Sequence, residues 1–258
     1  MRKTATALLV LGLTAVLAAP ALAVSLLSET FTYPDGNLVP NGGWANFSGA
    51  ATDIQVASGK AVGSGPNAND DHILFAAQPL TGKTYACLTV RIPSIAGAPK
   101  PIYFAMLKDG GTSIFVSRLY VLPVVGGTFT FGISYSSTSA TVGVTPWGSA
   151  LSYDTDYTVV INYDPATSTS NLWVNPVNEA STSVANVGTA AAVAVSGFGL
   201  RQSATASTLP PSPPYTGNTD WGCIVDNVGV GTTFEEACTS GPTPTRRRTG
   251  GEVTTIYR

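Results

Sequence analysis

The sequence of 258 residues predicts an all-β fold, a two-sheet antiparallel β-sandwich. Beyond an apolar N-terminal segment, no stretch shows the sustained periodicity that an amphipathic helix needs. Short runs of β-branched and aromatic residues recur instead, and clusters of Gly, Pro, Asn and Asp separate them. Only 11% of the residues are charged, and this low fraction, with abundant Gly, Ser, Thr, Ala and Val, is typical of an exported β-protein.

Residues 1–23 are predicted to be a signal peptide. A basic pair at positions 2 and 3 precedes an apolar run over 5–19, and Ala-Leu-Ala at 21–23 matches an A-x-A cleavage site. The apolar run is too short for a helix that spans a bilayer. We therefore expect the mature chain to be exported from a bacterium, to the periplasm, the cell surface or the medium.

Twelve runs carry the strand pattern. They cover residues 26–33, 53–62, 72–75, 84–95, 101–107, 114–122, 128–135, 141–145, 157–163, 171–174, 193–201 and 222–230. The run 157–163 is apolar on both faces, so we expect it to lie centrally in its sheet. A turn that starts at Asp164-Pro165 joins it to the run 171–174, which predicts a β-hairpin.

The strands are predicted to form one domain, residues 24–240. Residues 202–220 are rich in Pro and Ser and predict a long surface loop. Residues 241–258 hold four Arg against one Glu, a net charge of +3 (4 − 1), and predict a flexible basic tail, with a sorting or docking segment as the alternative. The mature chain has 11 basic residues (13 − 2) against 15 acidic ones, a formal charge of −4. This balance excludes the electrostatic footprint of a nucleic-acid-binding protein.

Three cysteines are present, Cys87, Cys223 and Cys238. An oxidising compartment favours one disulfide and one remaining thiol, and Cys223 with Cys238 is the preferred pair because both flank the same terminal segment. The alternative is that all three stay reduced. The sequence contains no C-x-x-C, and His72 is its one histidine, which excludes a zinc site of the usual His/Cys type.

Four stretches together resemble a known family. They are SETFTYPDGNLVPNGGWANFSG (28–49), IQVASGKAV (54–62), YDTDYTVVINYDPATSTSNLWVNP (153–176) and IVDNVGVGTTFEEA (224–237). In this order they resemble the concanavalin A-like lectin/glucanase (LamG-like) jelly rolls of secreted bacterial proteins. The resemblance implies two antiparallel sheets in which the first and last strands are neighbours, and it implies little about activity.

No catalytic residue is predicted. Many glucanases that the chain resembles carry an E-x-D-x-x-E cluster on one strand, where two carboxylates perform retaining hydrolysis, and this sequence lacks it. It also lacks G-x-S-x-G, and a single His without a paired nucleophile does not form a catalytic triad. An enzyme with an unrecognised site therefore stays an alternative to a non-catalytic module.

Two acids stand on faces that alternation predicts to be apolar. Glu29 shares its face with Leu27 and Phe31, and Asp226 shares its face with Val228. If the first and last strands pair, these carboxylates come close, and a structural calcium would offset their repulsion. The alternative, which we favour, is an acid at a bulge or strand end that accepts hydrogen bonds from backbone N–H groups.

Exposed aromatic residues flanked by amides are the usual tools for binding sugar rings. If Leu172 and Val174 face the core, Trp173 lies on the outer surface of its sheet beside two amides. The candidate ligand-binding residues are Trp173, Asn171, Asn175, Trp147 and Trp221. The alternative is that a neighbouring loop covers Trp173. We therefore expect a non-catalytic module that binds a polysaccharide or cell-surface glycan, with a structural or adhesive module as the second hypothesis.

Overall fold

Two antiparallel β-sheets face each other in the computed structural model, which describes residues 25–49, 53–64, 69–94, 101–124, 126–139, 142–202 and 222–239. The predicted signal peptide, the predicted tail and residues 203–221 lie outside this part of the chain. Within it, no helix has the length and apolar character that crossing a bilayer requires.

Short strands make up most of the described chain. In chain order they are β1 (Ser25–Glu29), β2 (Gly36–Asn37), β3 (Ala45–Ser48), β4 (Gln55–Ala57), β5 (Lys60–Ser64), β6 (Asp70–Leu74), β7 (Thr84–Arg91), β8 (Ile102–Lys108), β9 (Phe115–Val124), β10 (Thr128–Ser134), β11 (Thr145–Pro146), β12 (Asp156–Asp164), β13 (Thr169–Val174), β14 (Val184–Val187), β15 (Gly197–Leu200) and β16 (Gly222–Gly231). A 3-10 turn spans Asn41–Gly43, and a short helix, α1 (Phe234–Thr239), follows the last strand.

The strands form a nine-stranded and a seven-stranded sheet. The nine-stranded sheet has the order β14-β13-β12-β7-β16-β5-β4-β2, and β1 also pairs with β16. The seven-stranded sheet has the order β11-β10-β9-β8-β15-β6-β3. The expected neighbourhood of the first and last strands is confirmed, as are the hairpin β12–β13 and the central place of β12 between β13 and β7.

The core lies between the sheets, where alternate residues of each strand turn inward. The nine-stranded sheet contributes mainly aliphatic side chains such as Leu88, and the seven-stranded sheet contributes aromatic ones such as Phe104 and Phe131. Each buried side chain of this size stabilises the fold by roughly 1.5–3 kcal/mol. Trp44, just after the 3-10 turn, is buried in the same core.

Several strand predictions differ from the structure in local detail. The run 53–62 is not one strand, because Ser58 and Gly59 adopt left-handed φ values of 52° and 70° and form the turn between β4 and β5. The short strands β2, β3 and β14 were not predicted. Two of them consist mostly of Gly, Ala, Asn and Ser, so their pairing with neighbouring strands, rather than intrinsic propensity, determines their conformation.

A β-bulge in β16 changes which of its side chains face the core. Asp226 pairs with Thr89 and the next pair joins Gly229 to Cys87, so three steps along β16 match two along β7. The extra residue, Asn227, adopts a left-handed φ of 51°. Core-facing residues of β16 are therefore odd-numbered before the bulge and even-numbered after it. The prediction that Asp226 shares a buried face with the residues after the bulge is wrong.

Candidate functional site

Glu29, at the end of β1, holds its buried carboxylate among three donors. The backbone N–H of Phe31 donates at 2.6 Å, the hydroxyl of Tyr33 at 2.7 Å and the indole Nε1–H of Trp44 at 2.9 Å. Burial and the bond to Glu29 raise the pKa of Tyr33 well above its usual value of 10, so the phenol stays a donor. The carboxylate thus fastens the turn that follows β1 to the core.

Asp226 lies on the outer face of the nine-stranded sheet. It accepts one hydrogen bond from Lys60 Nζ at 2.8 Å and one from the backbone N–H of Asn227 at 2.8 Å. Glu29 pairs in register with Val228, which faces the core, so the two acids lie on opposite faces of the sheet. The shared calcium site is therefore wrong for Glu29 and Asp226, and the favoured alternative agrees with the structure, because Glu29 accepts a backbone N–H bond at a strand end and Asp226 accepts one at a bulge. Among the described residues, no group of three His, Cys, Asp or Glu side chains is placed to hold a metal ion.

Trp173 lies on the outer face of its sheet, and Leu172 faces the core, as alternation predicted. The outer face is covered there, however. The ring of Phe234 in α1 packs edge-on at 5.6 Å between centroids, the Tyr85 ring lies at 6.4 Å, and the Trp173 indole donates to the Glu179 carbonyl at 3.1 Å. Since only 3% of Trp173 is exposed, the prediction of a stacking platform for sugars is corrected to a packing role.

The other candidate ligand residues do not share one surface. Asn171 donates to the Asn162 amide oxygen at 3.0 Å, beside Trp173. Asn175 is exposed at the end of β13 and accepts a backbone N–H bond from β12. Trp147 is half-buried at the edge of the other sheet, where it packs against the core, and Trp221 lies outside the described residues.

All three cysteines are free thiols, and their positions overturn the expected Cys223–Cys238 disulfide. Cys223 faces the core between the sheets, because it is an odd-numbered residue before the bulge of β16. Cys238 belongs to α1 on the opposite, outer face of the same sheet, where it packs beside Cys87. The sheet itself separates Cys223 from Cys238.

The outer face of the seven-stranded sheet carries a cluster that was not predicted from the sequence. We call this cluster the aromatic–basic face, and it consists of Phe47, Asp70, His72, Tyr103, Lys108, Phe115, Arg118, Tyr120 and Arg201. Its strands β9, β8, β15, β6 and β3 lie side by side. Within it, Tyr103 pairs in register with Tyr120, so both rings stand on the same face.

Glycines on β15 make room for this cluster. A Cβ on Gly199 would lie 2.9 Å from Cε of Met106, and one on Gly197 would lie 3.2 Å from Cγ of Lys108. A Cβ at either position would therefore force these neighbouring side chains to shift. The bare strand therefore lets side chains of β8 lie across the face.

Two arginines converge on one tyrosine ring. The guanidinium carbon of Arg201 lies 4.3 Å from the centroid of Tyr103, and that of Arg118 lies 4.9 Å from it and 5.4 Å from the centroid of Phe115. Arg118 Nη1 donates to the Ser137 carbonyl at 3.1 Å, whereas its buried Nε–H has no partner. Arg201 is the more accessible cation, with a quarter of its side chain exposed and its Nε 3.9 Å from Asp70 Oδ2.

A buried lysine and the single histidine form the other end of the face. Lys108 Nζ donates to His72 Nδ1 at 3.0 Å and to the carbonyls of Asp109 and Gly111. Burial, assisted by the nearby Lys108 charge, lowers the pKa of His72 to about 4. The imidazole is therefore neutral at pH 7, and it stacks on Phe47 with 5.1 Å between ring centroids.

Asp70 is the acid of this face, and its neighbour Asp71 points the other way. Burial raises the pKa of Asp70 to about 7, against the opposing charge of Arg201. Asp71 pairs in register with the core residue Leu200, and it accepts a hydrogen bond from Asn46 Nδ2 at 2.6 Å. Because these adjacent acids lie on opposite sides of the sheet, they do not form the facing carboxylate pair that glycoside hydrolysis uses.

A signal for this face was present in the sequence. Lys108, Arg118 and Arg201 each interrupt or end a strand-like run of mainly apolar residues, in a chain with only 13 Lys and Arg in total. A cation in such a run is a candidate functional residue, because charged residues are rarely buried without a partner.

No protein-family model and no curated protein matches this chain. Solved structures match it in fold. The CBM2 module of the evolved Dit of Lactobacillus casei BL23 phage J-1 is 11% identical, with a TM-score of 0.51 over 82% of this chain and 96% of that chain. A sialidase is 13% identical, with a TM-score of 0.54 over 83% of this chain and 19% of its own. Peanut lectin in complex with a nonapeptide is 17% identical, with a TM-score of 0.47 over 82% of this chain and 98% of its own. At these identities the likeness concerns the fold. The chain has a two-sheet antiparallel β-sandwich fold, as its sequence predicted.

Proposed function

We propose that this protein is an exported glycan-binding module and that the partly exposed residues of the aromatic–basic face, Arg201 and Phe115, contact the glycan. The observation that carries the proposal is a cluster of three cations and four aromatic rings on one sheet face, in which the members other than Arg201 and Phe115 are buried and hold these two in place. The formal net charge of the chain is −2. The CBM2 module and the sialidase share this fold, which makes a glycan the ligand class to test first.

The chemistry of the face favours glycans that carry carboxylate or sulfate groups. Arginine presents a planar set of donors that binds carboxylate and sulfate oxygens in pairs. Arg201 is the accessible donor, and its stacking on Tyr103 holds the guanidinium in place. Neutral sugars lack a partner for these charges, so they are expected to bind more weakly.

The test is binding of the mature chain to immobilised acidic and neutral polysaccharides. We expect Arg201→Ala to weaken binding to acidic polysaccharides roughly 10- to 100-fold, as for the loss of charge-assisted hydrogen bonds. Arg91→Ala is the matched control, because Arg91 pairs with Asp156 in the nine-stranded sheet and its loss changes the net charge equally. A folded protein that binds neither class of polysaccharide would contradict the proposal.

A second candidate function is a polysaccharide-active enzyme. Asp70 favours it, since a carboxyl whose pKa is about 7 is suited to proton transfer near neutral pH. The test is the release of new reducing ends from acidic polysaccharides, which Asp70→Asn should abolish.

The structural or adhesive alternative, in which residues 241–258 dock to an envelope partner, stays a prediction. Deleting those residues should then change localisation without changing the fold.

A further inference from the structure

The helix α1 depends on the nine-stranded sheet for its stability. It has six residues, and an isolated helix of this length does not persist in water. A capping box starts it, in which Glu236 N–H donates to Thr233 Oγ1 at 3.3 Å and Thr233 N–H donates to Glu236 Oε2 at 3.2 Å. Its buried residues Phe234 and Ala237 pack on the outer face of the sheet, where Trp173 lies. Anything that fastens α1 therefore also keeps Trp173 covered.

A cysteine of the sheet lies directly under this helix. Cys87 is in the middle of β7 with its side chain on the outer face, and its register partners are Val160 on one side and Gly229 on the other. Because Gly229 has no side chain, no Cβ stands beside Cys87 on that neighbouring strand. Cys238, in the last turn of α1, packs against the same buried cluster as Cys87.

We propose that Cys87 and Cys238 form a disulfide in the exported protein and that this bond fastens α1 to the sheet. The two cysteines are 151 positions apart in the sequence (238 − 87), so the bond would close most of the domain into one loop. Long loops of this kind restrict the unfolded chain strongly. The bond also accounts for the odd number of cysteines, since it leaves Cys223 as one buried thiol.

The reaction needs a disulfide donor, namely the disulfide of a thiol oxidoreductase or a small-molecule disulfide in an oxidising compartment. Cys238 is half-exposed and Cys87 is buried, so the Cys238 thiolate attacks the donor first. A mixed disulfide forms and one donor thiol leaves. The Cys87 thiolate then attacks Sγ of Cys238 and releases the second donor thiol. Two protein thiols lose two electrons and two protons in total, and the donor disulfide is reduced to two thiols.

Cys223 provides the internal comparison. It lies in the core on the other side of the sheet, and burial raises its pKa to about 12. A thiol in that state is neither reactive nor in reach of Cys238. The Cys87 thiol is also held protonated in the reduced protein, because its contact with Cys238 and burial raise its pKa. Oxidation therefore begins at Cys238, the more exposed of the two thiols.

The experiment is a thiol count on protein exported by a bacterial host and purified without reductant. One sample is denatured and alkylated without reduction, and a second sample is reduced before alkylation. The mass of each intact protein is then measured by mass spectrometry. We expect one alkylated cysteine without reductant and three after reduction, and none without reductant in Cys223→Ser. A cross-linked peptide that contains Cys87 and Cys238 should be found by mass spectrometry. Three alkylated cysteines in unreduced wild type, or a cross-link to Cys223, would overturn the proposal.

The melting temperature gives a second readout. Cys238→Ser should melt on the order of 10 °C below oxidised wild type, and reduced wild type should match the variant. Cys223→Ser is the matched control, because it removes a thiol and keeps the cross-link, so its melting temperature should still fall on reduction. Equal melting temperatures for oxidised and reduced wild type would contradict a fastening role. The count on wild type itself needs no variant to fold.

Discussion

The guanidinium carbon of Arg201 lies 4.3 Å from the ring centroid of Tyr103, which is the shortest cation–π contact among the described residues. Its neighbour Asp70 lies within 3.9 Å of the same guanidinium. The Tyr103 ring therefore holds the Arg201 guanidinium in position, and Asp70 is its ionic partner, whose charge varies near neutral pH. The charge available at Arg201 for binding an acidic glycan is therefore expected to depend on the protonation state of Asp70.

The binding of acidic glycans should depend on pH through Asp70. Burial raises the pKa of Asp70 to about 7, so the carboxyl is neutral below that pH and carries a negative charge above it. Protonation removes a negative charge beside Arg201, and affinity for acidic glycans should therefore rise as the pH falls from 8 to 6. Titration of binding across this range is the measurement, and Asp70→Asn should bind with little pH dependence. An unchanged pH profile in this variant would show that another group is responsible.

Stability should depend on pH through the buried neighbour Asp71. Burial, together with the charge of Asp53, raises its pKa from 3.8 to about 7. Between pH 4 and 7 the folded state keeps a proton that the unfolded state has lost, so the free energy of unfolding contributed by this group falls as the pH rises through that window. Asp71→Asn mimics the protonated form and keeps an acceptor for the Asn46 amide.

We expect Asp71→Asn to be more stable than wild type at pH 8 by up to about 4 kcal/mol, which is three pKa units at about 1.4 kcal/mol each. The difference should disappear near pH 4. Chemical denaturation at several pH values measures it, and the difference between the two proteins isolates Asp71 from Asp70, which titrates in both. A constant difference at every pH would contradict the assignment.

Local sequence patterns predicted most strands and their order at the ends and centre of the fold, because alternation and turn residues are local properties. They allowed a bulge or a strand end at one of the two acids but did not place the bulge at Asn227, where one extra residue reverses the facing of Asp226. Nor did they place α1 over Trp173, since that contact joins elements more than 60 residues apart in the sequence. The aromatic–basic face was missed for the same reason. It draws Tyr103 from β8 and Arg201 from the residue after β15, and only the pairing of β8 with β15 brings them together.

Trp173→Ala should affect stability and leave binding unchanged. Trp173 is buried between Tyr85 and Phe234, and truncating a buried aromatic residue costs about 3–5 kcal/mol. The fraction of the protein that stays folded should bind acidic glycans with the affinity of wild type, because Trp173 lies on the other sheet from the aromatic–basic face. Phe234→Ala should destabilise in the same direction. Loss of binding by folded Trp173→Ala would instead place the ligand on the nine-stranded sheet.

Glu29 and Asp226 offer a matched pair of substitutions that tests their separate environments. In Glu29→Gln an amide N–H₂ replaces one oxygen that now accepts hydrogen bonds, so at least one buried donor among Phe31, Tyr33 and Trp44 loses its acceptor. An unsatisfied buried donor costs roughly 1–3 kcal/mol, and more when the lost partner was charged.

Asp226→Asn should cost less than about 1 kcal/mol, because its amide oxygen still accepts the Asn227 N–H and its ion pair with Lys60 is partly exposed to solvent. Chemical denaturation of both variants measures the contrast. Two outcomes would support a shared cation site. One is an equal loss of stability in both variants, and the other is that added calcium stabilises wild type but does not stabilise Asp226→Asn. A large loss confined to Glu29→Gln follows from the two acids lying on opposite faces of the sheet, each with its own donors.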